Sequence, residues 1–538
     1  MVPSAWTLGA AAIAALVAVP LLSVVASLAR PAVDVWVHLW RTQLLELSLN
    51  TLVLLVGVGL GTAVLGTALA WLVVGYEFPG RSVFEGGLML PLAVPAYVIG
   101  FAFLGLFDYA GPVQTALRAW LGDGARVPEL RSAGGVILLM TLVFYPYVYL
   151  LARVAFVEQG AGTLETARSL GRSRLAAFRE VTLPLARPAI VAGASLAMME
   201  ALADFGTVAT FGYRTFTEAI YRVWYGMFDR AAATQLASLL LLFALGLLAL
   251  ERALRGRARF EQSHRRGPGI TREQLRGHRA AAATLGCALV LTLAFALPVG
   301  QLLVWAAEAA GPFFVPSRFA GVLRNTVVIA TTGAAVCAVF ALVLAYARRL
   351  HPAPGVRVAT QFAAMGYALP GSLIAVGILL PTAWADHHLV DALERLLGRP
   401  VGLVLTGSIL GLVFAYVVRF LAVAFQTLDA GLGRIPSSLD DAARSLGAGV
   451  AGVLARVHVP LLRRGLLTAL VLVFVDTMKE MPATLLLRPF GFTTLAVEVW
   501  ERTSESLWAE AAVPALAIVL AGLVPVSLAI RWSGRAGR

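Results

Sequence analysis

Apolar runs of about 20 residues recur along this 538-residue chain, and they restrict it to one kind of architecture. In a bilayer every backbone N–H and C=O must be satisfied within its own segment, so such runs cross as helices. Candidate spans are read at 8–29, 48–74, 84–107, 134–156, 187–210, 232–250, 281–306, 322–347, 358–382, 401–425, 462–487 and 509–531. The chain is 59% hydrophobic and 14% charged, with a mean hydropathy of +0.82, which no soluble core requires. The expectation is an all-α, multi-pass membrane protein with about 12 transmembrane helices. The run at 8–29 is too long for a signal peptide and lacks a basic leader, so it is read as the first span.

The formal charge is +13, and Lys479 is the only lysine. The arginines are dispersed between apolar runs, which fits membrane orientation and not a nucleic-acid surface; no nucleic acid is expected as a partner. The densest stretch is Glu251–Arg279, with Arg252, Arg255, Arg257, Arg259, Arg265, Arg266, Arg272, Arg276 and Arg279 against Glu251, Glu261 and Glu273. A short loop this basic stays in the cytoplasm. Asp386–Arg399 is slightly acidic and suits the outside. Cys287 and Cys337 lie inside apolar segments and form neither a disulfide framework nor a CxxC metal site.

The chain repeats itself. Glu165-Thr166-Ala167-Arg168-Ser169-Leu170-Gly171 is followed after nine residues by Val181-Thr182-Leu183-Pro184. Asp441-Ala442-Ala443-Arg444-Ser445-Leu446-Gly447 is followed after nine residues by Val457-His458-Val459-Pro460. One constant offset carries Gly171 to Gly447 and Pro184 to Pro460. Asn50-Thr51 and Asn325-Thr326, Pro95 and Pro370, and Trp224 and Trp500 extend the match. Six candidate spans precede the basic stretch and six follow it, so the halves share one orientation: two parallel six-helix repeats. The expected division is a first half at 1–250 with a loop at 158–185, a basic cytoplasmic linker at 251–280, and a second half at 281–538 with a loop at 434–461. Pro95 and Pro370, with Gly100 and Gly377 nearby, are read as bends in core helices.

Each loop is expected to form a short helix, a turn at Gly171 or Gly447, and a second helix entered near Pro184 or Pro460. Ala167 and Ala443 would let another backbone approach, and Glu165 and Asp441 suit a helix N-terminus. Both copies resemble the EAA-type coupling loop of ABC importer permeases; Thr166 and Asp441 depart from the usual residues. The resemblance implies a type I ABC importer permease fold in the bacterial inner membrane. It also implies two copies of an ABC ATPase and a periplasmic substrate-binding protein as partners. A Walker A loop needs Gly-Lys-Ser/Thr. Lys479 lies in Asp476-Thr477-Met478-Lys479-Glu480, so this chain is not expected to be an enzyme or to hold a cofactor. ATP and Mg would bind the partner.

Acidic residues inside spans are functional candidates. Glu200 and Asp204 recur as Asp476 and Glu480, at the offset that relates the two loops. The i, i+4 spacing sets each pair on one helical face, about 24 and 30 Å along the helix from its proline. Four carboxylates there could form an acidic outer mouth or gate, and hard cations prefer oxygen ligands. Helix termination, or pairing with Lys479, Arg214 or Arg488, is the plain alternative. His387 and His388 after Asp386 offer only a weak metal reading, and no metal site is assigned.

The wording around these acids, Ala203-Asp204-Phe205-Gly206-Thr207-Val208-Ala209-Thr210 and Lys479-Glu480-Met481-Pro482-Ala483-Thr484-Leu485-Leu486-Leu487-Arg488-Pro489, resembles fused two-half ferric-iron permeases. Permeases for thiamine, polyamines, sulfate or phosphonate share the architecture. An ion-coupled secondary transporter is the alternative of another class, and it would leave the twin loops without a role. An intramembrane enzyme is set aside, because no span carries HExxH, GxSxG or paired catalytic aspartates.

Overall fold

The computed structural model describes residues 5–29, 33–125, 128–255, 272–309, 315–400 and 402–536. Linker residues Arg257, Arg259, Glu261, Arg265 and Arg266 lie outside the described residues. Twelve helices among the described residues are long and apolar enough to cross a membrane. They are α1 (Ala5–Ser27), α2 (Leu44–Gly75), α3 (Ala96–Leu121), α4 (Ala133–Glu158), α5 (Arg174–Ala203), α6 (Arg230–Leu254), α7 (Gly277–Ala309), α8 (Pro316–Leu350), α9 (Gly371–Leu397), α10 (Ile409–Gly433), α11 (Val450–Lys479) and α12 (Trp508–Leu528). Two two-residue strands, β1 (Tyr76–Glu77) and β2 (Glu273–Gln274), pair in parallel.

The third and ninth spans start later than their apolar runs. Pro95 and Pro370 do not bend helices; each caps the start of one, α3 or α9. Proline holds φ near −65° and disfavours helix at the residue before it, so the chain breaks there instead of kinking. The apolar residues upstream fold separately, as Arg81–Gly87 with Leu90–Ala93 and as Pro354–Ala363 with Gly366–Ala368. The two glycines serve close packing. A Cβ on Gly377 would stand 2.5 Å from the Pro20 carbonyl oxygen of α1, and one on Gly100 would stand 3.3 Å from Thr207.

The chain forms two compact units that do not follow its sequence halves. One combines Met1–Leu39, Ala219–Leu241 and Val315–Glu501; the other combines Trp40–Glu218, Leu242–Phe314 and Arg502–Arg538. In the first, α1 packs on second-half helices: Trp6 meets Tyr346 edge-on with centroids 4.9 Å apart, and Ser23 donates to the Gly377 carbonyl. In the other, α7 and α12 join first-half helices, with Phe101 stacked 6.1 Å from both Trp305 and Trp508. Small residues let α2 reach α4. Cβ atoms on Gly57, Gly61 and Gly66 would come within 2.7 Å of Ile137, 2.5 Å of Thr141 and 2.7 Å of Val148. Membrane helices associate through such close approach, because lipid is as apolar as their side chains.

Candidate functional site

Both loops end their first helix with the same backbone device. In the second copy, the Ala448 N–H donates to the Ala443 carbonyl and the Gly447 N–H to the Arg444 carbonyl, each at 3.0 Å. Gly447 adopts φ +83°. This Schellman end requires a left-handed residue where the helix stops, and glycine takes that conformation without a Cβ penalty. In the first copy, the Arg172 N–H donates to the Ala167 carbonyl at 3.2 Å, and Gly171 sits at φ +82°. Nothing lies within 4 Å of where a Cβ on either glycine would stand.

The nine-residue spacing also has a physical content. A one-turn helix (Arg174–Ala177 or Val450–Val453) runs into a π turn (Phe178–Thr182 or Leu454–His458). The span proper then starts at Leu183 or Val459, with proline second. The π turn shifts the hydrogen-bond register by one residue, and proline, which has no N–H, absorbs the shift. The copies differ ahead of the motif. Pro436 starts a separate helix, Ser437–Ser445, after α10 ends at Gly433. Gly160 stands at the equivalent position in the first copy, and there the helix from Ala133 continues unbroken to Ser169.

The side chains offered outward include Glu165, Leu170, Asp441 and Leu446. Leu170 is 79% exposed and its repeat partner Leu446 is 88% exposed. Ala167 is buried and Ala443 half-buried, so small size there serves the loop's own packing; Pro184 and Pro460 are exposed.

Each loop is fastened to its surroundings by different chemistry. In the second copy, Arg349 from the last turn of α8 donates to Asp440 Oδ2 at 2.9 Å and Oδ1 at 3.0 Å, and to the Leu432 carbonyl at 2.6 Å. His458 Nε2 lies 2.7 Å from Asp440 Oδ1, and the Tyr346 hydroxyl donates to the Val450 carbonyl at 2.8 Å. Burial alone would raise the Asp440 carboxyl, but the bonds from Arg349 and His458 outweigh it and hold the group below the usual carboxylate range. In the first copy Leu164 and Thr182 replace Asp440 and His458. There Arg174 sits over the rings of Tyr76 and Trp71, donates to the Gly75 carbonyl, and pairs with Glu273 at 3.3 Å. Sequence reading passed over Asp440 for its motif neighbour Asp441. One residue is about 100° of helical turn, which sends one acid inward and the other to solvent.

At the far ends of α5 and α11, Asp204 and Glu480 cap the helices that follow. Asp204 Oδ1 accepts the Thr207 N–H at 2.9 Å and Oδ2 accepts the Thr207 hydroxyl at 3.0 Å. Glu480 Oε1 accepts the N–H of Ala483, the repeat partner of Thr207, at 3.0 Å. Glu480 also pairs with Arg419 of α10 at 3.1 Å and is buried. Arg419 escaped the sequence reading, which sought acids; an arginine inside an apolar run carries the same signal. The first half has Val143 at that position, so this ion pair occurs in one half alone. Glu200 and Asp476, one turn earlier, are half-buried. Arg214 pairs with Glu46 at 3.3 Å and Arg488 with Glu501 at 2.5 Å.

Asp386 turns away from the histidines. Its carboxylate accepts the N–H groups of Val404, Leu405 and Thr406 at 3.1, 2.8 and 2.6 Å. His388 Nδ1 lies 2.9 Å from the Trp384 carbonyl. Among the described residues no group of three or more His, Cys, Asp or Glu could hold a metal ion.

Comparison with known proteins follows the same outline. The binding-protein-dependent transport system inner membrane component family matches twice, over residues 57–259 and 338–536. An Fe(3+)-transport system permease protein of Haemophilus influenzae is 28% identical over 92% of this chain and 91% of its own. A putative ferric transport system permease protein of the same organism is 24% identical over 84% of this chain and 71% of its own. A molybdenum transport system permease protein of Escherichia coli K12 is 30% identical over 32% of this chain and 71% of its own. With twelve helices among the described residues long and apolar enough to cross a membrane, and the family matched in both halves, this chain belongs to the inner-membrane components of binding-protein-dependent transport systems, the non-catalytic translocation subunits of ABC importers.

Proposed function

We propose that this chain is the permease of an ATP-driven importer, that each of its two loops seats one copy of a separate ATPase, and that its cargo is ferric iron handed over by a periplasmic binding protein. The observation that carries the coupling assignment is the loop built twice, with the same Schellman end and the same outward leucine at repeat-equivalent positions. An even number of spans separates the two loops, so both face one side, and the arginine-rich linker makes that side the cytoplasm. The halves at 1–250 and 281–538 each supply one loop. ATP and Mg bind the partner. ATP favours the closed ATPase pair, and its differential affinity is what moves the loops.

The iron assignment rests on coverage. The two ferric relatives align along 92% and 84% of this chain, in its two-half layout. The molybdenum relative and a sulfate relative from Salmonella typhimurium align with 32% and 34% of it. Glu200, Asp204, Asp476 and Glu480 are assigned to the outer end of the pathway. Asp204 and Glu480 brace the helix starts there, Glu200 and Asp476 stand half-buried one turn before them, and carboxylate oxygens suit a hard cation in passage.

The test is uptake by vesicles that hold the chain with its ATPase, supplied with loaded binding protein. Radioactive ferric iron should accumulate only with ATP, and Glu200→Gln with Asp476→Asn should slow it. ATP-driven uptake of molybdate or sulfate in place of iron would refute the cargo and leave the coupling assignment standing.

A further inference from the structure

The linker between the halves returns to the first bundle as β2, and the contact it makes there reaches the first coupling loop. β2 pairs with β1, and the Leu275 N–H donates to the Glu77 carbonyl at 2.9 Å. A two-residue ladder does not hold itself together. Side chains hold this one. Glu77 lies 3.9 Å from Arg272 across the ladder, and Glu273 reaches Arg174 at 3.3 Å. Arg174 opens the one-turn helix that follows Gly171, and its guanidinium is largely buried between Tyr76, Trp71 and the Gly75 carbonyl. Glu273 brings a carboxylate to that guanidinium from the linker.

The second loop is fastened from elsewhere. Val450 is the repeat partner of Arg174. It is held through its carbonyl by Tyr346, and Arg349 and Asp440 complete the anchor from α8 and the loop itself. The second loop is therefore fastened from within its own half, whereas in the first a linker carboxylate adds to the contacts that Arg174 makes with Gly75, Tyr76 and Trp71.

We propose that linker residues 272–275, acting through Glu273, are a positioning element of the first coupling loop: they fix Arg174 and so set the loop's seat for its ATPase. The proposal rests on the coupling assignment above. Glu273 touches neither nucleotide nor cargo, so it acts by position.

The test uses the full chain in nanodiscs with its purified ATPase. Ser169→Cys and Ser445→Cys, exposed and at repeat-equivalent positions, report cross-linking at each loop separately. Glu273→Arg should raise the ATPase concentration for half-maximal cross-linking at the first loop about five- to tenfold, the scale of one charge-assisted contact after solvent screening. The second loop should not change. Glu273→Asp should recover most of the loss. Unchanged cross-linking at the first loop would overturn the proposal, and so would equal weakening at both loops. Absence of cross-links at either loop in the otherwise native chain would instead refute the coupling assignment.

Discussion

Truncating the outward leucines is the sharpest perturbation the loops allow. Leu446 is 88% exposed and Leu170 is 79% exposed, so almost the whole of each side chain is available to be covered by a partner. Leucine to alanine removes three carbons, each worth about 0.8 kcal/mol when buried, or about 2.4 kcal/mol per site. At about 1.4 kcal/mol per decade, each ATPase should bind roughly 50-fold more weakly. The permease itself should barely notice, because an exposed side chain with no fold role shifts stability by about 0.5 kcal/mol or less. On the proposed coupling each loop seats its own ATPase copy, so Leu170→Ala and Leu446→Ala should each act at its own loop. The assay is ATPase binding to the chain in nanodiscs, with thermal unfolding followed alongside. Wild-type affinity in the double variant would refute the leucines as anchors. A large drop in melting temperature would refute their independence of the fold.

Three further outcomes follow from the same geometry. Asp440→Asn should weaken the second loop's anchor by about 2–3 kcal/mol, since Arg349 and His458 lose a buried anionic partner. Its folded pKa is depressed, so its contribution is complete above the ordinary carboxylate value of about 4 and vanishes as pH falls through the lower folded value; proteolysis of the loop across pH 3–7 checks both. Arg419→Met should destabilise the chain by about 3–5 kcal/mol by stranding a buried Glu480, and adding Glu480→Gln should return much of that, measured by thermal unfolding in detergent. Gly66→Leu should cost about 1–3 kcal/mol or more, because even its Cβ would stand 2.8 Å from the Tyr145 carbonyl oxygen of α4; yield and melting temperature report it.

The twin loops were legible because a polar motif stands out in an apolar chain, and a match between two such distant segments cannot be local coincidence. Twelve spans were legible for the same reason: length and apolarity are local properties. Their boundaries were less so. At Pro95 and Pro370 an apolar run continues through a residue that the backbone cannot continue through as helix. Asp440 was hidden because a motif shows which residues recur, not which way each points. β2 was hidden because two residues carry no periodicity, and their partners lie far earlier in the chain. The exchange of α1, α7 and α12 between compact units is set by packing among distant segments, on which hydropathy is silent.

The decisive comparison, with loaded binding protein supplied to both, is iron accumulation by vesicles holding this chain with its ATPase against vesicles holding the chain alone under an imposed proton or sodium gradient. Coupling through the loops predicts uptake in the first when ATP is supplied and none in the second. Gradient-driven uptake by the chain alone would contradict it.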